Sequence, residues 1–171
     1  MKALIISADD FEDTELLYPY YRLQEEGIQV DVASISRGTI LGKHGYKVSV
    51  DLSLDETKED QYDLLVLPGG KAPERLKKAD AALSIARHFF EEKKPVAAIC
   101  HGPLILAAAG LLRDREATGY RSTKEELLSA GAHYQNKEVV VDGWLVTSRQ
   151  PSDLPAFARE MLTLLHKRKG Q

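Results

Sequence analysis

The feature that most constrains the fold is Pro95-Val96-Ala97-Ala98-Ile99-Cys100-His101-Gly102-Pro103, an apolar run that stops at the only cysteine and restarts as Leu104-Ile105-Leu106-Ala107-Ala108-Ala109-Gly110. An apolar run without polar alternation suits a strand covered on both faces. Pro103 cannot continue a central strand but fits the first turn of a helix, so strand, sharp turn and helix are expected, with Cys100 at the bend. Helix amides aimed at the sulfur would favour the thiolate, and a strand-to-helix elbow would lift it clear of the sheet. His101 would be the adjacent base. A core cysteine ending a buried strand would read the same way.

The rest of the chain alternates strand and helix. Lys2–Ser7 reads as a first strand; Asp9–Asp13 supplies cap-type residues; Glu12–Glu26 carries Leu16, Leu17, Tyr20 and Leu23 at helical spacing, with Pro19 expected to kink or divide the helix. Ile28–Ala33 alternates as a second strand, completing a βαβ unit. Gly38–Leu54 reads as a β-hairpin excursion, Asp63–Leu67 as a buried strand ending in Pro68-Gly69-Gly70, and Ala81–Glu92 as a helix. Further on come a short strand or loop at 117–120, a helix capped at Ser122 or Thr123, two β segments joined at Asp142-Gly143 by a type I′ turn, and a final helix capped by Ser152 or Asp153. The expected fold is α/β, a doubly wound, mostly parallel sheet with helices on both faces, residues 1–171 forming one domain.

Net charge is −3 and the pI near 6.0, which leaves no broad basic surface for nucleic acid. The tail His166-Lys167-Arg168-Lys169 sits where cations complement a helix C-terminus. A single cysteine excludes an internal disulfide and multi-cysteine metal sites and suits a reducing, cytoplasmic setting. No apolar run has the length of a signal peptide core or a membrane span. The five histidines lack ligand spacing and no glycine-rich phosphate loop is present, so neither metal, nucleotide nor other cofactor is expected. A lone asparagine, Asn136, beside abundant Lys and Glu, hints at a thermophilic source.

In an open parallel sheet the loops after the strands converge, which here gathers Asp10, Phe11 and Glu12, then Gly69 and Gly70, then Cys100 and His101. Gly69-Gly70 would bring a backbone N–H close to a substrate carbonyl oxygen or form a plain turn, and Glu12 would hydrogen-bond the thiol or sit solvated at a helix start. Phe11-Glu12-Asp13-Thr14-Glu15-Leu16, Leu67-Pro68-Gly69-Gly70 and Ala98-Ile99-Cys100-His101-Gly102-Pro103, at these separations, resemble the PfpI-type intracellular cysteine protease family. That family belongs to the superfamily of the Parkinson-associated protein deglycase and the class I glutamine amidotransferase-like, flavodoxin-like folds.

The resemblance implies Cys100 as nucleophile, His101 as base, Glu12 as the carboxylate on the sulfur, and the amides of Gly70 and His101 as oxyanion donors, with Gly69 and Tyr120 against substrate. It also implies Glu74, presented by a neighbouring subunit, as the third triad member, and hence dimers or hexamers. Two enzymatic activities follow as expectations. One is a peptidase acting on peptides or unfolded proteins; the alternative is a glyoxalase or deglycase acting on a 2-oxoaldehyde such as methylglyoxal. A third class is a redox-sensing or holdase stress protein.

Overall fold

A computed structural model describes residues 1–170. Its centre is a seven-stranded sheet. In chain order the sheet strands are β1 (Lys2–Ile6), β2 (Gln29–Ser34), β5 (Leu52–Ser53), β6 (Leu64–Leu67), β7 (Val96–Ile99), β10 (Val140–Asp142) and β11 (Leu145–Ser148). Between β2 and β5 lies the hairpin of β3 (Gly38–Leu41) and β4 (Lys47–Val50); β8 (Glu116–Ala117) and β9 (His133–Tyr134) pair separately. The helices are α1 (Asp13–Glu25), α2 (Ala72–Leu76), α3 (Asp80–Glu91), α4 (Pro103–Ala108), α5 (Lys124–Ser129) and α6 (Leu154–Lys169).

The strand order is β10-β11-β7-β6-β1-β2-β5, parallel throughout except for β10 against β11. β6 and β7 are buried at every position, as is β1 from Ala3 onward, which is why these strands read as continuous apolar runs. From β1 the chain steps one way to β2; from β6 it steps the other way to β7. Right-handed crossovers then put α1 and α3 on opposite faces. α6 packs on α1, β7 and β11, while α3 packs on α4 and β6. The reversal opens a crevice between the ends of β1 and β6, where the loops carrying Phe11, Gly69 and Cys100 meet.

Four local expectations are corrected. Pro19 does not divide α1, which runs unbroken from Asp13 to Glu25 because Pro19 and its neighbours Leu16 and Leu23 are packed in the core. The β10–β11 turn lies one residue later than expected. Asp142 pairs with Leu145, so Gly143 and Trp144 form the loop, with positive φ at Gly143 alone, the pattern of a II′ rather than a I′ turn. Asp153 precedes α6 without a side-chain cap bond, because its carboxylate is taken by the Arg149 guanidinium and backbone N–H. Asp13 likewise does not cap α1; it accepts the N–H groups of His44 and Tyr46, each at 3.0 Å, and pins the β3–β4 loop to the helix start. Among the described residues, no helix is long and apolar enough to cross a membrane.

Candidate active site

The chain turns out of β7 at Cys100, whose φ of +63° is a left-handed value that side chains other than glycine rarely adopt. Its N–H donates to the Ser148 carbonyl and its carbonyl accepts the Tyr120 N–H, so the elbow is clamped on both sides. Gly102 follows because no Cβ fits: one built there would lie 2.9 Å from the Ile99 carbonyl oxygen and nearer still to that of Leu67. The strain is held by this packing, a pattern that marks functional positions.

Two backbone N–H groups, of Gly70 and His101, point at the Cys100 sulfur. Gly70 reaches it from the β6 loop with φ of +83°, in a bridge to Phe11 that leaves no room for a side chain. The expected pair of donors is therefore assembled at the thiol. His101 Nδ1 lies 3.2 Å from Sγ, and its Nε2 lies 3.3 Å from the Ser122 hydroxyl. Tyr120 lies against the imidazole with ring centroids 5.2 Å apart.

The carboxyl group on the sulfur is Glu15, not Glu12. Glu15, fully buried on the first turn of α1, accepts the Gly69 N–H at 2.9 Å and interacts directly with the thiol. Its other oxygen has no N–H or O–H partner. Glu12, one turn earlier and also buried, lines the same cavity but is held by other partners. It pairs with Lys43 at 2.6 Å and with His44 at 3.5 Å, both from the β3–β4 loop. The signal for Glu15 was present in the sequence, since it falls four and eight residues before the buried Pro19 and Leu23, which makes it a carboxyl on the core-facing stripe of an amphipathic helix. Gly69 is small for this reason: a Cβ there would press on the Glu15 carboxyl and lie 2.7 Å from the Cys100 Cβ.

Burial, reinforced by the nearby Glu12 charge, raises the Glu15 carboxyl to about 8. Burial also pushes the Cys100 thiol up, to about 12, with a charged Glu15 adding to the rise and the Gly70 and His101 N–H groups opposing it. The six-residue α4 does not by itself favour the thiolate as expected; desolvation and the neighbouring carboxylate outweigh it. The two groups titrate as a pair. Glu15 releases its proton first, near 8, and its charge then helps to hold the proton on sulfur. Burial lowers His101 below the usual imidazole value, against the pull of Glu74, and so favours the neutral ring.

These groups line a cavity of about 480 Å³ whose wall includes Glu12, Lys43, Lys71, Glu74, Tyr120 and Pro151. Glu74, on α2, reaches this wall but pairs with Lys77 at 2.8 Å within its own chain. Lys43, Glu15 and Ser122 are the site residues that sequence reasoning passed over. Lys43 sits in a hairpin loop whose approach to the cavity depends on the Asp13 anchor.

The sequence profile of the DJ-1/PfpI family matches residues 1–164. A protein of Pyrococcus horikoshii named a deglycase is 54% identical over 165 residues, covering 96% of this chain and 99% of its own. YraA of Bacillus subtilis, named a candidate cysteine protease, is 42% identical over 96% of this chain and 98% of its own. Among solved structures, a two-domain protein of Anabaena variabilis containing DJ-1/ThiJ/PfpI-like and ferritin-like domains superposes with a TM-score of 0.95 at 34% identity. The match covers 96% of this chain and 48% of that one.

Proposed function

This chain belongs to the DJ-1/PfpI family, and on that premise we propose that it is a thiol-dependent enzyme of small carbonyl compounds, a glyoxalase or deglycase acting on 2-oxoaldehydes such as methylglyoxal or on their adducts. The observation that carries this reading is Glu15, a buried carboxyl with a raised affinity for its proton, set against the nucleophilic sulfur. Peptide hydrolysis has no need of a proton carrier at that point, whereas a carbonyl isomerisation does.

In the proposed sequence the Cys100 sulfur attacks the aldehyde carbon, a C–S bond forms, and the carbonyl oxygen takes up charge facing the Gly70 and His101 amides. Protonation of that oxygen gives a hemithioacetal. Removal of the proton on the former aldehyde carbon and its return to the adjacent carbonyl carbon yield the thioester of a 2-hydroxy acid, with no external oxidant or reductant. Glu15 and His101 are the groups placed to carry these protons. Water then cleaves the thioester, releasing the 2-hydroxy acid and restoring the thiol.

Peptide cleavage is the second reading, favoured by the name of YraA and by Glu74, which shares a cavity wall with Cys100 and His101. Because Glu74 pairs with Lys77 in its own chain, that reading calls for a copy of the chain to supply the carboxylate to a neighbour's His101, and so for dimers or larger rings. Turnover on methylglyoxal and on an unfolded protein, measured in parallel, separates the two. Loss of methylglyoxal turnover in Cys100→Ser and Glu15→Gln with no effect of Glu74→Ala supports the carbonyl enzyme. Proteolysis that requires Cys100 and Glu74 together overturns it in favour of the peptidase. Absence of both activities, with client binding retained in Cys100→Ser, leaves a holdase.

A further inference from the structure

His101 is neighbour to the nucleophile along the chain, but its ring is held from the other side. Arg121–Thr123 forms a single 3-10 turn whose start is tied to the elbow: the Tyr120 N–H donates to the Cys100 carbonyl at 2.8 Å, and Thr123 returns to the Tyr120 carbonyl through both its N–H and its hydroxyl, at 2.8 and 2.7 Å. This turn carries Ser122 to His101. We propose that Ser122 is a positioning residue for His101, its hydroxyl holding Nε2 at 3.3 Å so that Nδ1 stays on the Cys100 sulfur while the proton moves between them.

The chemistry of the hydroxyl carries the argument. A hydroxyl both donates and accepts, whereas a carboxylate only accepts. With a thiol at Cys100, Nδ1 accepts from S–H and the Nε2–H donates to Ser122. Transfer of the S–H proton to Nδ1 gives a thiolate–imidazolium pair in which Nε2–H still donates to Ser122. Once that pair has lost a proton to solvent, the neutral ring keeps Nδ1–H toward sulfur and Nε2 accepts from the Ser122 O–H. The same serine serves every one of these states, so proton transfer leaves neither ring nitrogen unpaired.

The charged groups of its own chain do not take this place. Cys100 and Glu15 lie on its Nδ1 side, Lys43 approaches from the β3–β4 loop, and Glu74 and Lys77 from α2 and its end. Glu125 and Glu126 of α5 line the cavity of about 300 Å³ beside Nε2. Among the described residues, none of these carboxylates comes within ion-pairing distance of His101, and Glu126, like Glu74, is held by Lys77.

The inference rests on the reading of Cys100 and His101 as the reacting pair, and its test includes two readouts independent of any substrate. Iodoacetamide alkylation of Cys100 against pH, NMR titration of His101, and kcat and KM on methylglyoxal are measured for the full chain and for Ser122→Ala, Ser122→Thr and Ser122→Asp. Ser122→Ala is expected to lower kcat and the alkylation rate at pH 7.5 about three- to tenfold with KM unchanged. Ser122→Thr restores both, and Ser122→Asp moves the His101 titration upward by about one unit or more. An alkylation profile and His101 titration in Ser122→Ala that match the native chain overturn the proposal, as does Ser122→Thr behaving like Ser122→Ala. If the native chain turns over no substrate, the functional reading falls while alkylation and titration still decide the role of Ser122.

Discussion

Cys100 and His101 are consecutive residues whose side chains meet, Sγ to Nδ1 at 3.2 Å, because the chain bends between them at a left-handed Cys100. On a regular strand successive side chains point to opposite faces, and the same two residues would lie apart. The bend brings the imidazole of a sequence neighbour onto the sulfur. It is held by the Ser148 and Tyr120 hydrogen bonds and by the absence of a side chain at Gly102.

The elbow therefore depends on Gly102. Gly102→Ala places a methyl on the Leu67 and Ile99 carbonyl oxygens, which belong to two central strands that cannot move apart. A loss of about 2 kcal/mol or more in denaturant unfolding is expected, with a parallel loss of Cys100 reactivity. Native stability in this variant would show that the elbow relaxes without cost.

Glu15 should be visible in the pH dependence of stability. The folded chain keeps the Glu15 proton up to about 8, whereas the unfolded chain releases it near 4.5, so between these values the folded state binds more protons and stability falls as pH rises. The cost is absent below 4.5 and complete above 8, where it amounts to about 5 kcal/mol. Glu15→Gln removes the titration while leaving an oxygen for the Gly69 N–H. Its melting temperature should rise relative to the native chain between pH 4.5 and 8; a constant difference across that range would exclude a buried protonated Glu15.

Cys100 reactivity should develop late on the alkaline side. Burial and the charge on Glu15 push the thiol up to about 12, so alkylation by iodoacetamide is expected to be slow at pH 8 and to keep increasing above pH 9. A plateau already reached near pH 8 would show that the thiolate forms with Glu15 still protonated.

Glu15→Gln also separates binding from proton transfer. An amide still donates to sulfur but carries no exchangeable acid, so alkylation of Cys100 is retained while kcat on methylglyoxal falls by about 100-fold or more. Equal losses in both measurements would reduce Glu15 to a structural support.

Glu12 has a different role, and the substitution that shows it is Glu12→Gln. It releases Lys43 from its 2.6 Å ion pair at the cavity wall while leaving the Glu15–Gly69 bond in place. The expected effect is on KM, by a few-fold, with kcat little changed. A kcat loss as large as that of Glu15→Gln would return Glu12 to the proton-transfer step.

The architecture was legible in the sequence because its causes are local. Buried parallel strands carry unbroken apolar runs, Gly69, Gly70 and Gly102 stand where the chain turns or closes on itself, and Pro103 opens a helix, so strand, elbow and helix were placed around the right cysteine. The Gly70 and His101 donors followed from the same turns. Helical spacing aligned Glu15 with the buried stripe of α1, but it did not by itself keep Glu12, three positions earlier, from the sulfur. Both Glu12 and Glu15 lie at the start of α1, both are buried, and a helix turns by nearly a full revolution between them. The choice depends on the rotation of α1 against β6, fixed by Leu16, Pro19 and Leu23 in the core and by the Asp13 anchor of the β3–β4 loop, which supplies Lys43 to Glu12 and leaves Glu15 to Cys100. Identity and spacing placed Cys100 at the elbow; packing between segments distant in sequence selected the carboxyl beside it, because only the assembled core sets which side of a helix meets the thiol.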